Sequence, residues 1–174
     1  MRGSIINIDK LAMVYIIMGV SGCGKTTVGK ILAEKFAMKF YDADDFHSEG
    51  NLNKMKNITP LEDEDRIPWL LNLAAHIKQW NRSEGAVLAC SALKKKYRQI
   101  LSGDGKENVI FIYLEGDRNT ILKRMEKRKS HFFAPELLES QFSVLEEPSD
   151  AIRVPINKTP EEIGGEIIEK LAGF

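Results

Sequence analysis

The stretch from Gly19 to Thr26, GVSGCGKT, combines residue types that bind phosphate. It fits the pattern GxxxxGK(S/T) without a mismatch, and it lies between an apolar run and a helical pattern, where this motif forms a phosphate-binding loop. Its glycines let the backbone turn tightly and bring successive N–H groups close to anionic oxygens. The Lys25 ammonium is expected near the β and γ phosphates, and the Thr26 hydroxyl is the expected protein ligand of Mg²⁺. The predicted nucleotide site comprises Gly19, Val20, Ser21, Gly22, Cys23, Gly24, Lys25, Thr26 and Thr27.

A pair of carboxylates follows the second predicted strand. Many phosphate-loop proteins hold Mg²⁺ with an acid at the end of another strand, but the third strand here ends in Leu-Ala-Cys-Ser, without an acid. Asp42 and Asp44 are therefore the candidates, and the single residue between them allows two different roles. One can face Mg²⁺ through water while the other reaches an acceptor hydroxyl. The alternative is an exposed acidic turn, because Asp often caps turns and helices.

Residues 45–85 form a mostly helical insertion between the second and third strands. It carries His47, Asn51, Lys54 and Arg66, which are enough polar groups to hold a small acceptor. On a helix, Asn51 and Lys54 lie on one face because they are three residues apart. Taken alone, His47 and Lys54 are better explained as solvated surface residues.

Two arginines and a short turn bear on the nucleotide. Arg124 and Arg128 are four residues apart at the end of a predicted helix, where one face would present both guanidiniums to the transferring phosphate. The alternative is that they simply suit the negative end of the helix dipole. Residues 157–159, Asn-Lys-Thr, resemble the base-reading NKxD of GTPases, but Pro160 replaces the acid. The missing carboxylate favours ATP over GTP.

Length and composition limit the possible classes of protein. A chain of 174 residues is predicted to form one domain, with 1–12 as a leader whose Met-Arg-Gly-Ser start is typical of a vector-derived segment. Lys plus Arg and Asp plus Glu both number 25, so no overall positive charge favours nucleic acid. There is no apolar run of membrane-spanning length and no signal-peptide core, and two cysteines are too few for a disulfide framework. We therefore expect a cytoplasmic protein without nucleic acid or membrane partners.

Strands and helices alternate along the chain. Strands are predicted at 14–18, 40–41, 86–90, 109–114 and 152–156, and helices at 25–37, 51–56, 63–80, 94–101, 118–128, 135–145 and 160–171. This alternation is typical of an α/β fold with a five-stranded parallel sheet, helices on both faces and a ligand crevice at the carboxyl ends of the strands. The phosphate loop, 42–47, 90–94 and 157–160 should then share one rim. Pro155 indicates that the fifth strand lies at an edge or is ending.

The order of segments resembles that of the small gluconokinases. GVSGCGKT is followed by DADDFHSEGNLNKM, PLEDEDRIPWL, CSALKKKYR, FIYLEGD, KRKSHFF and SQFSVLEEP. HxxxNxxKM and PLxDxDRxPWL are far more specific than the phosphate loop, and the resemblance runs from Met13 onward. It implies a P-loop NTPase fold similar to shikimate kinase, a homodimer, and transfer of phosphate from ATP to the terminal hydroxyl of D-gluconate. Ala43 and Cys23 depart from the residues common in the family, Gly and Ser, at positions whose side chains the chemistry does not need.

The resemblance also implies roles for individual residues. Asp44 would orient and deprotonate the acceptor hydroxyl, Asp42 would lie on the Mg²⁺ side, and Arg66 would bind the gluconate carboxylate as a planar fork. Arg124 would stack on adenine opposite the 157–160 turn, and Arg128 would reach the phosphates. The implied lid is at about 125–134. The implied lining of the sugar-acid pocket is His47, Lys54, Ser91, Lys94 and His131.

Three other functions remain as alternatives. The first is a kinase of another hydroxylated acceptor, such as shikimate. A shikimate kinase is expected to have a Gly-rich turn after the third strand, and this sequence lacks that turn. A nucleotide-binding regulatory switch would hydrolyse ATP slowly and ignore gluconate. An RNA-binding module would need a basic or aromatic surface. A further hypothesis is that Cys23 and Cys90 lie on the same rim, where their oxidation could block the phosphate loop.

Overall fold

A single parallel sheet organises the chain. The computed structural model describes residues 12–104, 108–127 and 135–173. The strands are β1 (Val14–Met18), β2 (Phe40–Asp42), β3 (Ala86–Ala89), β4 (Val109–Glu115) and β5 (Ile152–Pro155). They are ordered β2-β3-β1-β4-β5, and each neighbouring pair is parallel. The predicted five-stranded parallel sheet is confirmed, and β5 with Pro155 is an edge strand.

Helices cover both faces of this sheet. In chain order they are α1 (Lys25–Phe36), α2 (Glu49–Lys56), α3 (Asp63–Asn81), α4 (Lys95–Ser102), α5 (Arg118–Glu126), α6 (Pro135–Val144) and α7 (Pro160–Ala172), with a 3₁₀ helix at Ala43–Phe46. Buried residues of α3 and α4 pack on one face, and those of α1, α5, α6 and α7 pack on the other. The central strand β1 is an apolar run because it is enclosed from both sides.

Side-chain caps fix several helix boundaries near the site. The Ser48 hydroxyl accepts from the Asn51 N–H at 3.2 Å, so α2 begins at Glu49, two residues before the predicted start. The Asp65 carboxylate accepts from the Glu62 N–H at 3.0 Å at the start of α3. These caps fix where α2 and α3 begin, and so the direction in which the two helices run from the rim of the sheet.

The two cysteines are free and buried, and they belong to different apolar clusters. Strand β3 does neighbour β1, as the oxidation hypothesis requires, but Cys90 packs on the α3 face of the sheet and Cys23 on the α1 face. Burial also raises the pKa of Cys90 to about 12, which leaves almost no reactive thiolate at neutral pH. The structure therefore gives no support to regulation by a Cys23–Cys90 disulfide. None of the described helices combines the length and the apolar content that crossing a bilayer requires.

Candidate active site

The phosphate loop has the backbone that its glycines predict. Gly22 and Gly24 have φ angles of 82° and 101°, in the left-handed region that side-chain-bearing residues rarely adopt. Gly24 is the N-cap of α1 and offers that helix no side-chain acceptor. The N–H groups of the first turn are therefore directed at the rim, where an anion can accept from them. The Lys25 ammonium donates to the carbonyls of Gly19 and Val20 at 3.0 and 3.1 Å, so its charge lies at the same loop.

Two oxygens at the loop suit a magnesium ion. The Thr26 hydroxyl donates to Asp42 Oδ2 at 3.2 Å, which brings the end of β2 against the start of α1. Mg²⁺ prefers such oxygen ligands and usually completes its shell with phosphate oxygens and water. In the described parts of the chain, no group of three or more His, Cys, Asp and Glu side chains could hold a metal by itself. The oxygens of Thr26 and Asp42 therefore suit an Mg²⁺ ion that binds together with a nucleotide.

Asp44 points into the open space beside this pair. Its N–H donates to Asp42 Oδ1 at 3.0 Å, which orients the 3₁₀ turn, while its own side chain is 69% exposed. The carboxylate nevertheless lines the wall of a cavity, where neighbouring protein groups displace part of its water. Partial desolvation there, followed by the negative charge of Asp42, raises the pKa of Asp44, and Lys25 and Arg66 oppose the rise. A carboxylate with a raised pKa is a better proton acceptor than an ordinary surface Asp.

His47 lies next to Asp44 and is enclosed by aromatic and amide groups. Its ring stacks on Trp69 with centroids 4.1 Å apart, and the Trp69 indole N–H donates to the Ala43 carbonyl at 2.9 Å. His47 Nε2 is 3.7 Å from Asp44 Oδ1. Burial, and then the positive charge of Arg66, lowers the pKa of His47 to about 4. The imidazole is therefore neutral at neutral pH.

One cavity of about 870 Å³ joins these groups. It reaches from the phosphate loop to the start of α3, where the Arg66 Nε donates to the Leu61 carbonyl at 3.2 Å. Residues that the sequence placed in separate roles thus line a common space: Ser21, Gly22, Gly24, Lys25, Thr26, Thr27, Asp42, Asp44, His47, Arg66 and Ser91. This arrangement can hold a triphosphate beside a small polar acceptor.

Known proteins share both the sequence and the fold. The family profile described as shikimate kinase matches residues 21–172. A probable gluconokinase of Mus musculus is 44% identical to this chain, covering 91% of it and 97% of the mouse protein. The thermosensitive gluconokinase of Escherichia coli is 45% identical, covering 82% of this chain and 79% of its own. The chain belongs to the shikimate kinase family, among its gluconokinases.

The solved structures agree with this assignment. A gluconokinase from Sinorhizobium meliloti superposes with a TM-score of 0.85 at 33% identity, covering 94% of this chain and 93% of its own. The P-loop NTPase fold expected from the sequence is therefore confirmed, as is membership of an ATP-using kinase family. The alternatives of an RNA-binding module and of a regulatory switch have no counterpart in these similarities.

In this gluconokinase homologue, two predicted acceptor residues bind other partners. The Lys54 ammonium contacts both Asp65 oxygens at 2.7 and 2.8 Å, and the Lys94 ammonium donates to Asp63 at 3.0 Å. Neither lysine lines the cavity, among the residues that the structure describes. They attach α2 and α4 to the first turn of α3, so we do not assign them to the acceptor site.

The remaining predicted residues lie beside the 157–160 turn, in the phosphate loop, or outside the described part of the chain. Arg124 donates to the Ile156 carbonyl, beside the 157–160 turn that was predicted to flank adenine. Pro160 is the first residue of α7, directly after the Thr159 cap. Val20 and Cys23 are buried, so their contribution to the loop is their backbone. Arg128 and His131, with most of the predicted lid, lie outside the described residues.

Gln141 of α6 also contacts the phosphate loop, although no motif in the sequence predicts this. The Ser21 N–H donates to Gln141 Oε1 at 2.7 Å, and Gln141 Nε2 donates to the Ser21 hydroxyl at 2.9 Å. One amide thus binds both the backbone and the side chain of a phosphate-loop residue from 120 positions away. The available signal was its place in SQFSVLEEP, a segment quoted for the resemblance without a role.

No motif predicts the role of Arg98 either. The residue is 7% exposed, and its guanidinium donates to three carbonyls, those of Ala92, Leu93 and Glu146, at 2.9 to 3.1 Å. Ala92 has a φ of 44°, and the neighbouring Ser91 carbonyl accepts from the Gly19 N–H at 3.3 Å. Arg98 therefore holds the turn after β3 that supports the phosphate loop.

Proposed function

We propose that the protein transfers the γ-phosphate of ATP to the terminal hydroxyl of D-gluconate, producing 6-phosphogluconate and ADP. The observation that carries the proposal is the shared cavity, in which the phosphate loop opens onto Asp44 and Arg66. A phosphoryl donor and a small acid can bind there side by side. The gluconokinase relatives support the choice of acceptor.

Asp44 is the proposed proton acceptor. As the acceptor oxygen forms its bond to the γ-phosphorus and the bond to the ADP oxygen breaks, the hydroxyl proton passes to the Asp44 carboxylate. Its raised pKa favours this transfer over that of an ordinary surface carboxylate. Most of the rate enhancement in such reactions comes from positioning and from charge stabilisation, which Lys25 and the first turn of α1 supply.

Arg66 is the proposed binding partner of the gluconate carboxylate. A guanidinium presents a planar fork that matches the two carboxylate oxygens. The Nε contact to the Leu61 carbonyl orients this fork at the acceptor end of the cavity. We retain His47 and the Ser91 backbone as further acceptor contacts, and Arg128 and His131 remain predictions for the lid.

Magnesium, assembly and location complete the proposal. Thr26 and Asp42 would hold Mg²⁺ together with the nucleotide, and the ion would neutralise charge on the phosphates. We also infer a homodimer, as the family resemblance implies, and a cytoplasmic location, which the low cysteine count favours. Light scattering coupled to size exclusion measures the oligomeric state directly.

A coupled assay of ADP release tests the function. The protein is given ATP and Mg²⁺ with gluconate, other sugar acids or shikimate, and Lys25→Ala is the inactive control. We expect turnover with gluconate that requires Mg²⁺, and 6-phosphogluconate identified by mass spectrometry. Slow ATP hydrolysis that gluconate does not change would instead indicate a switch, and turnover with shikimate alone would refute the acceptor.

A further inference from the structure

The buried side chain of Asn51 determines which nitrogen of His47 carries a proton. Asn51 Nδ2 donates to the Asp65 carbonyl at 2.9 Å, and the same atom is 3.3 Å from His47 Nδ1. A backbone carbonyl only accepts, so the amide group facing it must be the NH₂. Because this NH₂ has two hydrogens, the second one is available to His47 Nδ1. Asn51 is 6% exposed, which holds the amide in this orientation.

A neutral imidazole has one donor nitrogen and one acceptor nitrogen. If Nδ1 accepts from Asn51, the proton is on Nε2, which faces the cavity and lies 3.7 Å from Asp44 Oδ1. That distance is too long for a direct hydrogen bond. A hydroxyl oxygen that lies on the cavity side of both atoms could accept from the His47 Nε2–H and donate to the Asp44 carboxylate. The stack on Trp69 holds the ring plane in place for such a contact.

We propose that Asn51 is a positioning residue that fixes His47 as the Nε2–H tautomer, so that His47 donates a hydrogen bond to a hydroxyl of the acceptor beside Asp44. The inference rests on the proposed function, because it takes this cavity as the acceptor site. It also gives a reason for substrate selectivity, because a hydrogen-bond donor fixed in the cavity favours hydroxylated acids over analogues that lack the hydroxyl.

The charged groups around His47 are compatible with a neutral ring. Asp44 faces Nε2 from the 3₁₀ helix, and Arg66 approaches from α3. Asp65 of α3 presents its carbonyl to Asn51, while its carboxylate is paired with Lys54 of α2. Burial, and then the Arg66 charge, opposes a second proton on the ring, so the single-proton form persists through the neutral range.

Nuclear magnetic resonance tests the tautomer without any assay of activity. The chain has three histidines, and the ¹⁵N–¹H correlations of His47 are identified by their loss in His47→Gln. We expect the pattern of a protonated Nε2 and an unprotonated Nδ1. His76 is the internal control, because its Nδ1 is 2.9 Å from the Asn72 carbonyl and must donate there, giving the opposite pattern when neutral. A protonated Nδ1 in His47 would overturn the inference and leave gluconate turnover, and hence the proposed function, unaffected.

Kinetics of Asn51→Asp then test the consequence. The substitution keeps the shape but replaces the NH₂ with an acceptor, which draws the His47 proton to Nδ1. We expect the KM for gluconate to rise about tenfold, since one hydrogen bond to the acceptor is lost, while the KM for ATP changes less than about twofold. Asn53→Asp adds the same charge at an exposed position of α2 and should leave both values unchanged. Equal effects of Asn51→Asp on the two substrates would contradict the role.

A second pair of variants keeps the test decisive if Asn51→Asp does not fold. The amide nitrogen of Gln reaches the place of Nε2, whereas the shorter Asn does not. We therefore expect His47→Gln to keep the KM for gluconate within about threefold of the native value and His47→Asn to raise it about tenfold. The reverse order, or no difference, would refute donation from Nε2.

Discussion

The buried, neutral His47 makes a quantitative prediction about stability and pH. Its pKa falls from the ordinary 6.5 to about 4 in the folded protein. Between these two values the unfolded chain binds a proton that the folded protein does not. The free energy of unfolding must therefore decrease as the pH falls through this window.

The expected size of the effect follows from the same shift. Between the two pKa values, the free energy of unfolding changes by about 1.4 kcal/mol for each unit of pH. Lowering the pH from 7 to 5 covers about 1.5 units of this range, from 6.5 to 5, so His47 alone lowers the free energy of unfolding by about 2 kcal/mol. The His47 side chain is only 3% exposed, but its ring borders the open cavity, where solvent screens its charge, so about 2 kcal/mol is an upper value. This is a large fraction of a typical net stability of about 5–15 kcal/mol.

Urea unfolding of the native protein and of His47→Gln, followed by circular dichroism at pH 7 and pH 5, isolates this contribution. Carboxylates and the other histidines titrate in both proteins, so their effects cancel in the difference. We expect the native protein to lose more than His47→Gln between the two pH values, by up to about 2 kcal/mol. Equal losses, or a larger loss in His47→Gln, would refute the account of His47 as a buried neutral ring.

Three further substitutions test other parts of the site. Asp44→Asn should lower kcat about 10²- to 10⁴-fold with little change in either KM. The native enzyme should lose activity on acidification at a pH above the ordinary Asp range, because protonated Asp44 cannot accept the proton. Gln141→Met removes both contacts to Ser21 and should raise the KM for ATP about fivefold, whereas Gln79→Met at an exposed position of α3 should not. Arg98→Met leaves three carbonyls without their donor and should lower the free energy of unfolding by about 3 kcal/mol in the same urea assay; an unchanged midpoint would contradict its role.

The phosphate loop could be predicted from the sequence because its chemistry is local. All nine residues from Gly19 to Thr27 are contiguous, and the glycine positions prescribe backbone angles that the structure shows. The three inner strands, β1, β3 and β4, were predictable for a similar reason, since a strand enclosed on both faces is an uninterrupted apolar run. Because the strands are parallel, their carboxyl ends lie at one edge of the sheet, and this brings Asp42 and Ser91 to the same rim.

Pairings between distant side chains could not be predicted in the same way. Lys54 and Lys94 look alike as cations near an acceptor, yet each binds an Asp of α3, at separations of 11 and 31 residues. Gln141 reaches the phosphate loop across 120 residues, and its side chain gives no pattern that marks a site. The packing of the folded chain determines which acid or loop a flexible polar side chain contacts. The spacing of residues in the sequence does not predict that partner.

The central claim is that a polyhydroxy acid binds between Asp44 and Arg66 in the cavity that opens from the phosphate loop. The most direct measurement is a pair of KM values, for gluconate and for ATP, in Arg66→Met. Arg82→Met, at an exposed position at the end of α3, is the matched control. We predict that Arg66→Met raises the KM for gluconate by about 30-fold or more, the loss of a charge-assisted contact of about 2 kcal/mol, and leaves that for ATP within about twofold. An equal change in both values, or no change in the value for gluconate, would contradict the account.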